Sequence, residues 1–193
     1  MPKIMKKHLV DGAIFSIKIE GGGYTAAQLR DDCQMDFFDI RNESDDWEGI
    51  NFNNVDVLFC IVVAAHRLLK LFNRDITTQV IVNMRPRILL GLSYSSEKRH
   101  TGLPGFDFIE YDNPFNPNVK RVLIEKLDPV KNMDVLYSYE HLGMHGEPEK
   151  VMQRLNNYFV DGVNWDVQKS ILYPELSPPP KGYKRVKYTD IHE

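Results

Sequence analysis

Three consecutive glycines, Gly21 to Gly23, stand between two segments of strand character and constrain this chain more than any other feature. Ahead of them Phe15, Ile17 and Ile19 alternate with Ser16, Lys18 and Glu20, the two-residue period of a strand with one buried and one wet face. Glycines take the positive φ angles of a tight reversal without steric cost. The chain is therefore expected to turn back and pair through Tyr24 to Leu29 as a hairpin. After a short polar link, Met35 to Ile40 supplies a third strand.

The run from Val55 to Ala64 is apolar and rich in Val, Ile and Phe, the pattern of a central strand buried on both faces. Thr77–Val82, Arg87–Tyr94, Phe106–Tyr111, Val119–Leu127 and Asp134–Tyr139 are further strand candidates. One segment reads as a clear helix. It begins near Glu147, with Pro148 suited to the first helical position, and carries Val151, Met152, Leu155, Tyr158 and Phe159 on one face. Gly162 is placed to end it. Strands outnumber helices, so the expected class is α+β, mainly β: a twisted antiparallel sheet or partly open barrel starting with a β-hairpin, plus a C-terminal amphipathic helix. At 193 residues the chain is read as a single domain, 1–193, with residues 174–193 as a Pro-rich then basic tail.

The formal net charge of −3 argues against direct nucleic-acid binding, which calls for a basic face able to release phosphate counterions. Cys33 and Cys60 are the only cysteines, and they form no metal-binding spacing. The N-terminal residues lack the apolar run of a signal peptide, and the longest apolar run, Val55 to Ala65, contains Asp56 and is too short to span a bilayer. A cytoplasmic protein without a membrane association is expected.

Gly12, Ile14, Phe15, Ile17, Gly23, Tyr24, Gln28, Leu29, Phe37, Phe38, Asp39 and Ile40 carry a resemblance over about the first half of the chain. In these residues the sequence resembles the immunity protein 26 family, grouped with HocA-like phosphotriesterases. The resemblance implies a bacterial antitoxin that neutralises a toxin encoded beside it. One branch of the grouping carries an organophosphate-hydrolase label, which implies a metal-dependent hydrolase as the alternative.

The residues supply candidates for each role. In the segment RNESDDWEGINFNN a single large aromatic, Trp47, is surrounded by Asp45, Asp46 and Glu48. Two readings stay open: a solvated turn with Trp47 folded back on the core, or a partner-binding surface formed by Asp45, Asp46, Trp47 and Glu48, since an aromatic ringed by acids suits capture of a basic protein. His141 and His145 would share a helix face at i, i+4 and are the candidate metal ligands of the hydrolase alternative. Leu142 stands where a metalloprotease helix needs glutamate, and Gly143, Gly146 and Pro148 oppose a continuous helix. No serine elbow, activated cysteine or phosphate-cradling glycine loop is present. The expectation is an immunity protein that sterically neutralises a cognate toxin, with no catalytic residue and no cofactor. A β-rich interaction adaptor is a third reading.

Overall fold

The hairpin forms where the glycines place it. The computed structural model describes residues 4–31, 33–93, 99–111, 120–144 and 147–191. Among these the elements run β1 (Ile14–Lys18), β2 (Tyr24–Arg30), β3 (Gln34–Phe38), β4 (Val57–Val62), β5 (Phe72–Asp75), β6 (Arg87–Leu92), β7 (Phe106–Tyr111), β8 (Lys120–Ile124), α1 (Met133–Ser138), β9 (Gly143–Met144), α2 (Pro148–Asp161) and α3 (Val167–Leu172). Strands dominate, the sheets are open, and the class is α+β, mainly β, with an amphipathic helix in the C-terminal part.

The chain divides into two compact units, Met1–Arg85 with Gly143–Val160, and Pro86–Leu142 with Asp161–Glu193. The first holds a six-stranded sheet in the order β5-β1-β2-β3-β4-β9, antiparallel except for the short β4–β9 pair. Phe15, Ala27, Phe37 and Phe59 face one another in register across β1 to β4. The small Ala27 leaves room for its neighbours: Phe15 stacks on Phe72 at 4.5 Å and Phe37 on Phe59 at 4.6 Å. Helix α2 covers this face through buried Val151 and Leu155, with Met152, Tyr158 and Phe159 beside them. Its spacing of apolar residues is the one the sequence displays.

The opposite face is also apolar. Ile14, Ala26 and Phe38 project there and pack with Trp47, Phe52 and Ile76, which come from connecting segments with no more than a 3-10 turn, Phe52–Asn54, and not from an α-helix. Thr77–Val82, expected as a strand, instead starts with a 3-10 turn over Thr77–Gln79. The Asp75 carboxylate accepts from the Thr77 amide at 3.0 Å and from its hydroxyl at 2.6 Å, and the same hydroxyl oxygen accepts from the Ile14 amide at 2.9 Å. These local bonds replace the ladder that an extended segment would form.

The second unit contains the sheet β6-β7-β8, antiparallel throughout. Its core gathers Leu90, Phe106, Phe108, Leu127, Leu136 and Tyr173. Asp134–Tyr139, expected as a strand, lies mostly in helix α1. The reason is tertiary. Lys169 of α3 is fully buried, and its ammonium donates to the carbonyls of Leu136 (2.8 Å) and Tyr139 (3.0 Å) and to Glu140 Oε1 (2.7 Å) while lying 4.5 Å from the centre of the Trp165 ring. A cation set at the last turn satisfies carbonyls that a six-residue helix leaves open.

The hairpin turn gives a direct check. Gly21 and Gly23 have φ of +83° and +86°, but a Cβ on Gly21 would meet nothing within 4 Å whereas one on Gly23 would lie 2.8 Å from the Asn42 carbonyl oxygen. Gly21→Ala is expected to cost about 1 kcal/mol from backbone strain alone. Gly23→Ala is expected to cost about 2 kcal/mol or more in denaturant unfolding, because the obstruction is backbone; equal losses would contradict this register.

Candidate interaction surface

The acidic segment is built around Asp45. Its carboxylate accepts from the Trp47 indole N–H at 2.6 Å, from Asn73 Nδ2 at 2.7 Å and from Arg74 Nε at 3.3 Å, while the other Arg74 nitrogen donates to the Asp45 carbonyl. Burial by itself would raise the Asp45 pKa. The hydrogen bonds from Trp47, Ser16 and Asn73 and the Arg74 charge outweigh it and hold the carboxyl below its ordinary value of 3.8. With its N–H satisfied, the Trp47 ring enters the core at 0% exposure beside Phe52, ring centres 6.0 Å apart. Trp47 is therefore not an outward-facing partner contact: the expectation that it anchors a partner is corrected, and Asp45 is occupied in holding it. Asp46 and Glu48 are exposed, as is Glu43. Asn42 Nδ2 fixes the segment between them by donating to the Asp46 carbonyl at 2.9 Å.

A second segment is tied to the first. The Gly49 amide donates to the Gln79 carbonyl at 2.9 Å, the Ile81 amide to the Ile50 carbonyl at 2.9 Å, and the Phe52 amide to the Ile81 carbonyl at 2.9 Å. Asn53 continues the pairing with its side chain, which donates to the Val82 carbonyl at 2.9 Å and accepts from the Met84 amide at 2.9 Å. From beneath, the buried Gln28 of β2 uses its amide as a piece of backbone: Nε2 donates to the Asn83 carbonyl at 3.0 Å and Oε1 accepts from the Asn83 amide at 2.9 Å. Arg30 donates to the Arg85 carbonyl at 2.8 Å, and Arg85 donates to the carbonyls of Phe52 and Val55. Held this way, the segment leaves Ile81 54% and Met84 73% exposed. Exposed Glu48 precedes the stretch paired with it and exposed Asp56 follows. Two exposed apolar side chains on a hydrogen-bonded support, with acidic residues on the segment paired with it, make a candidate contact surface. Ile81 and Met84 were not legible as such, because Thr77–Val82 ends in the apolar run Val80-Ile81-Val82 of a strand and Met84 falls in the connection after it.

The first unit also carries a groove of about 390 Å³ along the N-terminal half of α2, with Leu71, Pro148 and Met152 among its lining and Glu20, Lys70 and Asn156 at its polar side. Lys70 pairs with Glu149 across it.

The histidine pair does not assemble a site on the described residues. His141 lies beside β6, half-buried, its ring 5.3 Å from that of Phe106 and its Nδ1 buried without a hydrogen-bond partner. Burial pulls its pKa below the ordinary 6.5, opposed by the Asp166 charge and a hydrogen bond with Gln168. The strand β9 follows it, so the helical spacing assumed for His141 and His145 is not formed there; His145 itself lies outside the described residues. No three His, Cys, Asp or Glu side chains among the described residues gather as metal ligands. Neither Cys33, half-buried, nor Cys60, buried, is in a disulfide. No helix among the described residues is long and apolar enough to cross a membrane.

These features belong to a recognised group of sequences. Residues 1–177 match a family described as Domain of unknown function (DUF8309), and the chain is a member of it. No curated protein and no solved structure matches the chain.

Asp45 gives the test of this construction. A carboxyl whose folded pKa is depressed stabilises fully above its unfolded value and loses that contribution as pH falls through the folded one. Asp45→Asn is expected to cost about 2 kcal/mol near neutral pH, with the gap to the parent narrowing as pH drops below 3.8. A gap that stays constant through the acid limb of a denaturation series would contradict the lock.

Proposed function

We propose that this protein is an immunity protein, which binds a cognate toxin in the cytoplasm and blocks it sterically, with no bond-breaking chemistry of its own. The observation that carries the reading is the pre-ordered surface around Ile81 and Met84. Both apolar side chains stand out from a segment pinned by Gln28, Asn53 and Arg85, and exposed Glu43, Asp46, Glu48 and Asp56 lie on the segment paired with it and on its flanks. A surface ordered before binding loses little conformational entropy on contact. Acidic groups around it speed the approach of a basic partner and disfavour an acidic one. The resemblance of the N-terminal strands to the immunity protein 26 family supports the same reading. The partner of the proposal is therefore a basic protein, of which toxic nucleases are one example.

The test is association with the product of the adjacent gene. The pure proteins are expected to form a complex that suppresses the toxin. Replacing Glu43, Asp46 and Glu48 by Lys is expected to slow association by about tenfold or more at low salt, with the effect shrinking as salt rises. Ile81→Asp is expected to speed dissociation. Absence of a complex, or one indifferent to all four changes, would contradict the proposal.

A further inference from the structure

The matched family region ends at Ser177, and three prolines follow it. Prolines have no N–H to donate, so this stretch separates what precedes it from what comes after. The chain then reverses: the Tyr183 amide donates to the Pro180 carbonyl at 3.0 Å across Lys181 and Gly182, with Gly182 at φ +78°. Beyond this turn the tail belongs to the second unit, runs without regular structure to a 3-10 turn over Tyr188–Ile191, and is anchored by side chains. The Tyr183 hydroxyl donates to Asp134 at 2.6 Å, and its ring meets Tyr137 edge-on at 5.1 Å. Arg185 Nε donates to the Ser138 carbonyl at 2.9 Å, and the Val186 amide donates to the Ser138 hydroxyl at 2.9 Å. The Tyr188 hydroxyl accepts from Arg121 of β8 at 3.0 Å, its ring lies 5.9 Å from Phe108 of β7, and Ile191 closes against the same core. Lys184 and Lys187, between these anchors, are exposed.

Tyr183, Arg185 and Val186 hold the stretch ahead of the 3-10 turn and Tyr188 holds its first residue, and a guanidinium placed at the open carbonyls of a helix end supplies both charge and direction. Lys169 and Arg185 together satisfy carbonyls at the end of α1, one from inside the unit and one from the tail. Burial and the Asp134 carboxylate push the Tyr183 hydroxyl up to about 12, so the donor persists at all physiological pH.

We infer that the surface formed by α1, β7 and β8 is a peptide-docking groove whose resident ligand is this chain's own tail, residues 183–191, bound reversibly and recognised as Tyr-x-Arg-Val-x-Tyr. The exposed Pro180–Gly182 turn forms the hinge on which the tail leaves. The groove selects a segment with aromatic ends and a central arginine. Attachment gives the resident tail a high effective concentration, so any competitor must outbind it.

The test uses the full chain and a fluorescein-labelled synthetic peptide of residues 181–191. In the full-length variant Tyr183→Ala/Tyr188→Ala the resident tail is weakened. This variant is expected to bind the peptide saturably and about tenfold or more tighter than the parent, in which the tail competes. A peptide carrying Arg185→Gln is expected to lose about tenfold of that affinity. Equal binding to variant and parent, no binding to either, or indifference to Arg185→Gln overturns the proposal. Hydrogen exchange on the unaltered chain decides independently of whether the variant folds. The Val186 amide is expected to exchange faster than the Leu136 and Tyr139 amides of α1 and than the β6–β7 ladder, since the tail opens while the surface beneath it stays folded. Exchange of Val186 only with the whole unit, or at the rate of a free peptide, overturns it.

Discussion

A sheet that is apolar on both faces has to be covered twice, and that requirement governs the first unit. Phe15, Phe37 and Phe59 demand a cover on one side, Ile14, Ala26 and Phe38 on the other. A helix solves the first problem cheaply because its backbone bonds are internal. The second cover is made of connecting segments, whose amides and carbonyls must find partners of their own once Trp47 and Phe52 draw them onto the sheet. Gln28, Asn53 and Arg85 are those partners, and Asp45 takes the indole N–H of Trp47. The surface assigned to partner binding is the outer side of this cover, so its order follows from the need to bury the inner side.

What was legible in the sequence is what local pattern decides. The glycine turn, the strand from Val57 and the helix from Pro148 depend on neighbours a few residues away, and they stand where alternation, apolar run and i, i+4 spacing put them. The destination of Trp47 depends on Asn73 and Arg74, 28 and 29 residues from Asp45, and acidic neighbours alone gave no indication of inward or outward. Val135, Tyr137 and Tyr139 alternate like a strand, yet the ammonium of Lys169 and the guanidinium of Arg185 reward a helix end there. β5 and α3 are short, lie beside turns, and carry too few residues for a period to declare itself. His141 and His145 carried a spacing whose meaning required a helix; the strand that replaces it removes the reason to pair them.

The second unit follows another logic. Its ionic centre, Lys169 with Glu140, is withdrawn from solvent, and the ammonium engages the carbonyls of Leu136 and Tyr139, which suits it to fixing a helix end. Its functional interest lies in the tail that borrows the same helix end. The two units thus underlie two different proposals: a pre-ordered loop surface in one, and a groove filled by the chain itself in the other.

The central claim is that the outer cover is as firmly held as the sheet it protects. Hydrogen exchange of the Ile81, Asn83 and Met84 amides measures this directly, because each donates to a partner in the network and none belongs to a strand. Protection within about tenfold of the β2–β3 ladder amides is the predicted result. Exchange at the rate of an unstructured loop would show that Ile81 and Met84 are not presented on a fixed support, and would contradict the account.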